Sequence, residues 1–136
     1  MAAKQNSVLA SGFRKTSIAR ANLVKGTGNL KINNQTVEEY NNSILMQLKL
    51  KEPLIISGLG SKYDIKVTVF GGGVNSQVDA IRQAIARGLV EITSSEELKK
   101  QFVDYDRALI VADTRFKETK KPNNSGARAK RQKSYR

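Results

Sequence analysis

The chain has 136 residues, with 24 basic against 12 acidic side chains, a net charge of +12, and neither cysteine nor histidine. That length fits one domain, and the missing His and Cys exclude the usual zinc sites and His- or Cys-dependent catalysis. No run reaches the roughly 18 apolar residues of a membrane span, and the opening residues lack the apolar stretch of an export signal, which predicts a cytoplasmic protein. Taken in chain order, residues 1–37 carry six basic side chains and no acid. Val8 to Ala10 is a short apolar run ended by Ser11-Gly12. From Ser17 to Val24 the chain alternates, with Ala19, Ala21 and Leu23 on one face and Arg20 and Asn22 on the other. Gly26-Thr27-Gly28 supplies turn residues, and Leu30 and Ile32 resume the period of two, which predicts a hairpin across that glycine loop. Its small apolar face suits a core and leaves Arg14, Lys15 and Arg20 available for phosphates.

Residues 36–52 read as helix, with Val37, Ile44, Leu45, Leu48 and Leu50 as its apolar positions and Pro53 as its end. A loop with Gly58 and Gly60 leads to a half-buried strand over Tyr63–Phe70, where Ile65, Val67 and Val69 alternate with Lys66 and Thr68. After Gly71-Gly72-Gly73 comes the clearest helix. Val74, Val78, Ile81, Ile85, Leu89 and Ile92 form one stripe, and Ser76 with Asp79 has capping-box spacing. A second helix starts near Ser94 or Ser95, with Glu96 and Glu97 at its positive end and Leu98 and Phe102 facing the core. Ala108–Ala112 is apolar but of undetermined type. Residues 38–113 hold nine basic and eleven acidic side chains, the balance of an ordinary surface, whereas 114–136 hold nine basic and one acidic. That last stretch has no apolar period and reads as an extended basic tail. The expected architecture is an α+β body over 1–113 with an RNA-binding tail over 114–136.

A packed middle with basic ends is the layout of a nucleic-acid binder. The tail has no apolar face to lie on a membrane, so no membrane partner is expected. Asp104, Asp106 and Asp113 are the one carboxylate group that suggests a metal-dependent nuclease; an ion pair or loop hydrogen bond involving Arg107 is the simpler account. The glycine run lacks the Lys-Ser or Lys-Thr of a P-loop, and Ser76 stands where a dinucleotide fingerprint needs glycine. A strand-to-helix turn explains it, and the alternative is a backbone approach to an RNA phosphate at the helix N-terminus. In the tail, Arg and Lys suit phosphates, and Tyr135 suits stacking on a base. A free-standing RNA chaperone is the rival binding module.

The combination of segments is more specific. GFRKTSIARA from Gly12, Gly71–Gly73 ahead of AIRQAIAR from Ala80, Tyr105-Asp106-Arg107 and the ending RQKSYR from Arg131 occur in that order. Together they resemble the universal ninth protein family of the small ribosomal subunit, in its archaeal and eukaryotic cytosolic branch, over nearly the whole chain. The resemblance implies the fold of the ribosomal S-five second domain: a mixed sheet packed on helices, with a left-handed β-α-β crossover and a long C-terminal tail. It also implies a non-enzymatic role in the subunit head, with small-subunit rRNA, peptidyl-site tRNA and neighbouring head proteins as partners, and with no cofactor, metal or small-molecule substrate. By position, Arg14, Lys15, Thr16 and Arg20 would contact rRNA from the first strands. Arg107, Arg115, Lys120, Lys121, Arg128, Lys130, Arg131, Gln132, Lys133 and Ser134 would do so along the tail's path, and Tyr135 and Arg136 would reach the tRNA. The chain departs from the family pattern at Phe13, usually basic, at Thr114, where Asp-Pro-Arg is common, and at Asn123-Asn124, a stretch often rich in glycine.

Overall fold

The computed structural model describes residues 7–135. Strands β1 (Val8–Arg14) and β2 (Ser17–Lys25) form an antiparallel hairpin in which Arg14 pairs with Ser17. Lys15-Thr16 is therefore its two-residue loop, and Lys15 takes a φ of 52°. A positive φ at the first loop residue turns the chain in the sense that matches the twist of the flanking strands. β1 thus runs on through Ser11-Gly12, where the sequence suggested an end.

The hairpin expected between β2 and β3 (Leu30–Ile32) does not form. β5 (Tyr63–Phe70) lies between them, antiparallel to β2 and parallel to β3, and the sheet order is β1-β2-β5-β3-β4 with β4 at Gln35–Thr36. The loop after β2 crosses the end of β5 because Asp64 holds it there. Its Oδ1 accepts the backbone N–H of Thr27, Gly28 and Asn29, each at 2.9 Å. Glycine and asparagine in this loop serve a crossing rather than a tight turn.

The expected single helix over 36–52 is two. α1 (Val37–Tyr40) is closed at its start by a reciprocal pair between Thr36 and Glu39, and α2 runs from Ile44 to Ser57. Between them Asn41 takes the N–H of Ser43 on its own side chain, a local alternative to helix. Pro53 sits inside α2 rather than ending it. A proline there removes one helical hydrogen bond at a cost of about 3 kcal/mol, opposed here by full burial of its ring. β3 and β5 are parallel and so need a crossover, which carries β4, α1 and α2.

α3 (Val74–Thr93) lies across the sheet and buries Val78, Ile81, Ile85 and Leu89 of the expected stripe, while Val74 at its start stays exposed. Small residues let it approach closely. Ala10, Ala19 and Ala21 of the sheet are buried with Ala80 and Ala84 of the helix, and at Gly12 a Cβ would come within 2.1 Å of the Ala80 carbonyl oxygen. α4 (Glu96–Tyr105) is capped by Ser95, whose hydroxyl accepts the Leu98 N–H, and it buries Leu98 and Phe102 as expected. The undetermined apolar segment overlaps a short 3-10 turn, Arg107–Leu109, which buries Leu109. Residues 114–135 hold no helix or strand, and all but Gly126 and Ala127 are exposed.

Candidate nucleic-acid interface

Alternation along β1 and β2 sends Arg14 and Arg20 to opposite faces of the sheet. Arg14 turns inward, toward α3, where its guanidinium meets Asp113 at 2.6 Å and Asp79 at 3.8 Å. In this arrangement it stands as an ion-pair partner of both acids, where the sequence suggested a group available to phosphates. Asp79 is accordingly not the capping residue of α3. Ser76 does that work, taking the Gly73 N–H on its hydroxyl at 3.1 Å. Arg20 points outward, exposed, with its guanidinium carbon 5.8 Å from the centre of the Phe70 ring.

Lys15 and Thr16 stand exposed at the hairpin tip beside the glycine turn. They share a shallow recess with Gly72, Gly73 and the first turn of α3. Gly71 and Gly72 have φ of 76° and 65°, a left-handed conformation that glycine adopts without steric cost. At Gly72 a Cβ would also lie 2.0 Å from Ser17 Oγ. Ser17 is buried and bonds both Gly71 O and Ser76 Oγ. The glycine run is thus accounted for by the turn that joins β5 to α3.

The three aspartates do not converge on a site. Asp106 accepts from Arg82 at 3.0 Å and Asp113 binds Arg14 and Arg115, while Asp104 is exposed. Among the described residues no group of three or more His, Cys, Asp and Glu is placed to hold a metal ion. The counter-ions are Arg82, Arg14 and Arg115 rather than the neighbouring Arg107, which is exposed. Hydrogen bonds from the Arg115 side chain, then from its backbone N–H, hold the Asp113 carboxyl well below the usual carboxylate range. Since Asp113 also bridges to β1 at Arg14, it fixes the point at which the chain leaves the sheet.

Beyond that point Arg115 is 82% exposed, despite its paired hydrogen bonds to Asp113. Arg128 makes a similar fork to Glu118, at 2.8 and 2.7 Å. Lys120, Lys121, Lys130, Arg131, Gln132, Lys133, Ser134 and Tyr135 are all exposed. Arg136 lies outside the described residues.

One grouping was not legible from the sequence. Lys66 of β5 pairs with Asn22 on β2 and with Lys31 on β3, which puts two lysines side by side on the outer face of the sheet. Their alternation was visible, but the juxtaposition follows only from the position of β5 between β2 and β3.

Residues 12–136 match the model of the family described as ribosomal protein S9/S16. The chain belongs to that family. Its curated relatives include archaeal proteins. The small ribosomal subunit protein uS9 of Methanothrix thermoacetophila is 47% identical over 130 residues, covering 95% of this chain and 98% of its own. Those of Thermoplasma volcanium and Halobacterium salinarum are each 48% identical, over 95% and 93% of this chain and 98% and 96% of theirs. The S9 match takes in the hairpin from Gly12 onward, the glycine turn and the basic C-terminal segment.

Proposed function

We propose that this S9 protein is a structural component of the small ribosomal subunit in the cytoplasm, seated in the subunit head and bound to its rRNA. The observation that carries this is the placement of charge. The packed body has a near-neutral middle, while residues 114–136 hold nine basic side chains and one acidic, and those of them described lie almost wholly exposed, without helix or strand. Such a segment buries too little to order itself and gains structure from a polyanion. Residues 1–113 act as the body and 114–136 as the arm, and the crossover from β3 to β5 has the left hand typical of the family.

In this reading Lys15, Thr16, Arg20 and Arg107 meet phosphates from the body. Arg115, Lys120, Lys121, Arg128, Lys130, Arg131, Gln132, Lys133 and Ser134 meet them along the arm. Arg115 and Arg128 exchange their carboxylates for phosphates on binding, a fair trade because exposed ion pairs contribute little. Tyr135 and Arg136 reach the peptidyl-site tRNA, since an extended arm of this length spans on the order of 75 Å. The role is binding and positioning, with no catalytic step. Native particles test it: the chain should sediment stoichiometrically with the small subunit, and particles lacking Arg136 should assemble yet hold peptidyl-site tRNA less tightly. A chain found off the subunit would refute the structural role, and unchanged tRNA retention would refute the tRNA contact alone.

A further inference from the structure

The five-stranded sheet is covered by α3 on one face only. Its other face presents, row by row, Phe13, Ile18 and Phe70 across β1, β2 and β5, then Ser11, Arg20 and Thr68, then Leu9, Asn22 and Lys66, with Lys31 of β3 continuing the last row. Phe13 and Phe70 are 42% and 47% exposed and Leu9 is 70% exposed, although burial of large apolar groups is favourable. Arg20, Lys31 and Lys66 are exposed beside them. These rows carry no acid; the next one along pairs Val24 with Asp64, whose carboxylate is already occupied by the loop over β5.

We infer that this open sheet face is a second RNA-binding surface, on which unstacked nucleotides of the small-subunit rRNA lie with bases on Phe13 and Phe70 and phosphates on Arg20, Lys31 and Lys66. The inference rests on the ribosomal reading above and adds to it a recognition mode that the basic arm does not provide. Two features select RNA as the occupant. The charge of the face is almost wholly positive, so it complements a polyanion and repels a basic protein. Aromatic rings interleaved with cations on an open sheet are the arrangement that holds splayed-out bases, each ring stacking on one base while a cation one row away takes the phosphate. Rows along a strand lie about 7 Å apart, so the Arg20 row serves a nucleotide stacked on Phe70. Arg20 already lies over that ring, and a guanidinium held there can stack on one side of a base or turn to its phosphate.

Binding of the full-length chain to a short single-stranded oligouridine tests this, by affinity, salt dependence and ultraviolet crosslinking. F13L and F70L keep apolar bulk at half-exposed sites and remove only the aromatic plane. Together they should weaken binding about tenfold with the salt slope unchanged, because stacking releases no counterions. R20Q and K66Q should each reduce the slope by about one. Crosslinks should map to Phe13 or Phe70. Leucine variants that keep wild-type thermal midpoints and wild-type affinity would overturn the inference and mark the face as a protein-docking surface. If affinity then vanishes only on removal of residues 114–136, the inference fails while the ribosomal reading stands; no binding by the intact chain would sink both.

Discussion

Asp64 shows how one carboxylate sets a chain path. Three backbone N–H groups converge on its Oδ1, and the bond from Asn29, ahead of those from Thr27 and Gly28, holds its pKa below the ordinary value of 3.8. A carboxyl depressed in the folded state contributes stability that is fully present above its unfolded pKa and is lost as pH falls through the folded one. D64N should therefore lower the thermal midpoint at neutral pH, and the gap between variant and wild type should close as the pH drops below about 4. A gap constant down to strong acid would show that the carboxylate's charge is not what holds the loop. Arg82 does comparable work between helices, joining Glu52 of α2 at 2.6 Å and Asp106 at the end of α4 at 3.0 Å while only 11% exposed. Removing a charged hydrogen-bonding partner of this kind costs roughly 1.5–3 kcal/mol. Since Glu52 and Asp106 keep some access to water, R82M should fall at the lower end of that range in urea unfolding.

At the scale of elements, α3 packs closely on the hairpin. A Cβ at Gly12 would meet backbone, the Ala80 carbonyl oxygen at 2.1 Å and the Ala84 nitrogen at 2.7 Å, whereas one at Gly88 would meet the end of the Leu23 side chain at 2.2 Å. Backbone cannot step aside without moving the helix, but a leucine tip can. G12A should thus destabilise by at least the roughly 1–3 kcal/mol of an overpacked core. G88A should cost clearly less, because alanine returns about 1 kcal/mol of helix propensity. Equal urea midpoints for the two variants would mean that the helix is not seated on Gly12. α2 presents the opposite situation. Leu50 and Pro53 are buried, while Ile44, Leu45, Leu48 and Ile55 are all more than half exposed, so its apolar content exceeds what this body can cover.

At the scale of the whole molecule, the proposed reading divides the charge between a body that packs and an arm over 114–136, of which residues 114–135 lie almost wholly exposed. If residues 114–136 neutralise about six phosphates, the log–log salt slope for rRNA binding should be about −4 to −5, and deleting them should flatten it sharply. A truncated body with an undiminished slope would move the electrostatic surface elsewhere. The division has a hinge point, Asp113, tied to Arg14 on one side and Arg115 on the other. D113N should leave the body folded and loosen the base of the arm, which amide exchange at residues 112–115 would detect as faster exchange relative to wild type.

The sequence alone determined what depends on local order and on sums. Charge segregation needs no geometry, and the buried stripe of α3, the glycine turn before it and the Ser95 cap of α4 are properties of neighbours a few residues apart. The resemblance carried by the hairpin, glycine turn and C-terminal motifs was enough to place the chain in its family. Tertiary structure decided what depends on who lies beside whom. A period of two tells which side chains share a face but not which strand is adjacent, so β5 between β2 and β3, and hence the Lys31–Lys66 pair, lay beyond it. For the same reason Arg14, indistinguishable in sequence from a phosphate ligand, proved to be held by Asp79 and Asp113, dozens of residues away. Charges act through space, and only the folded chain sets those distances.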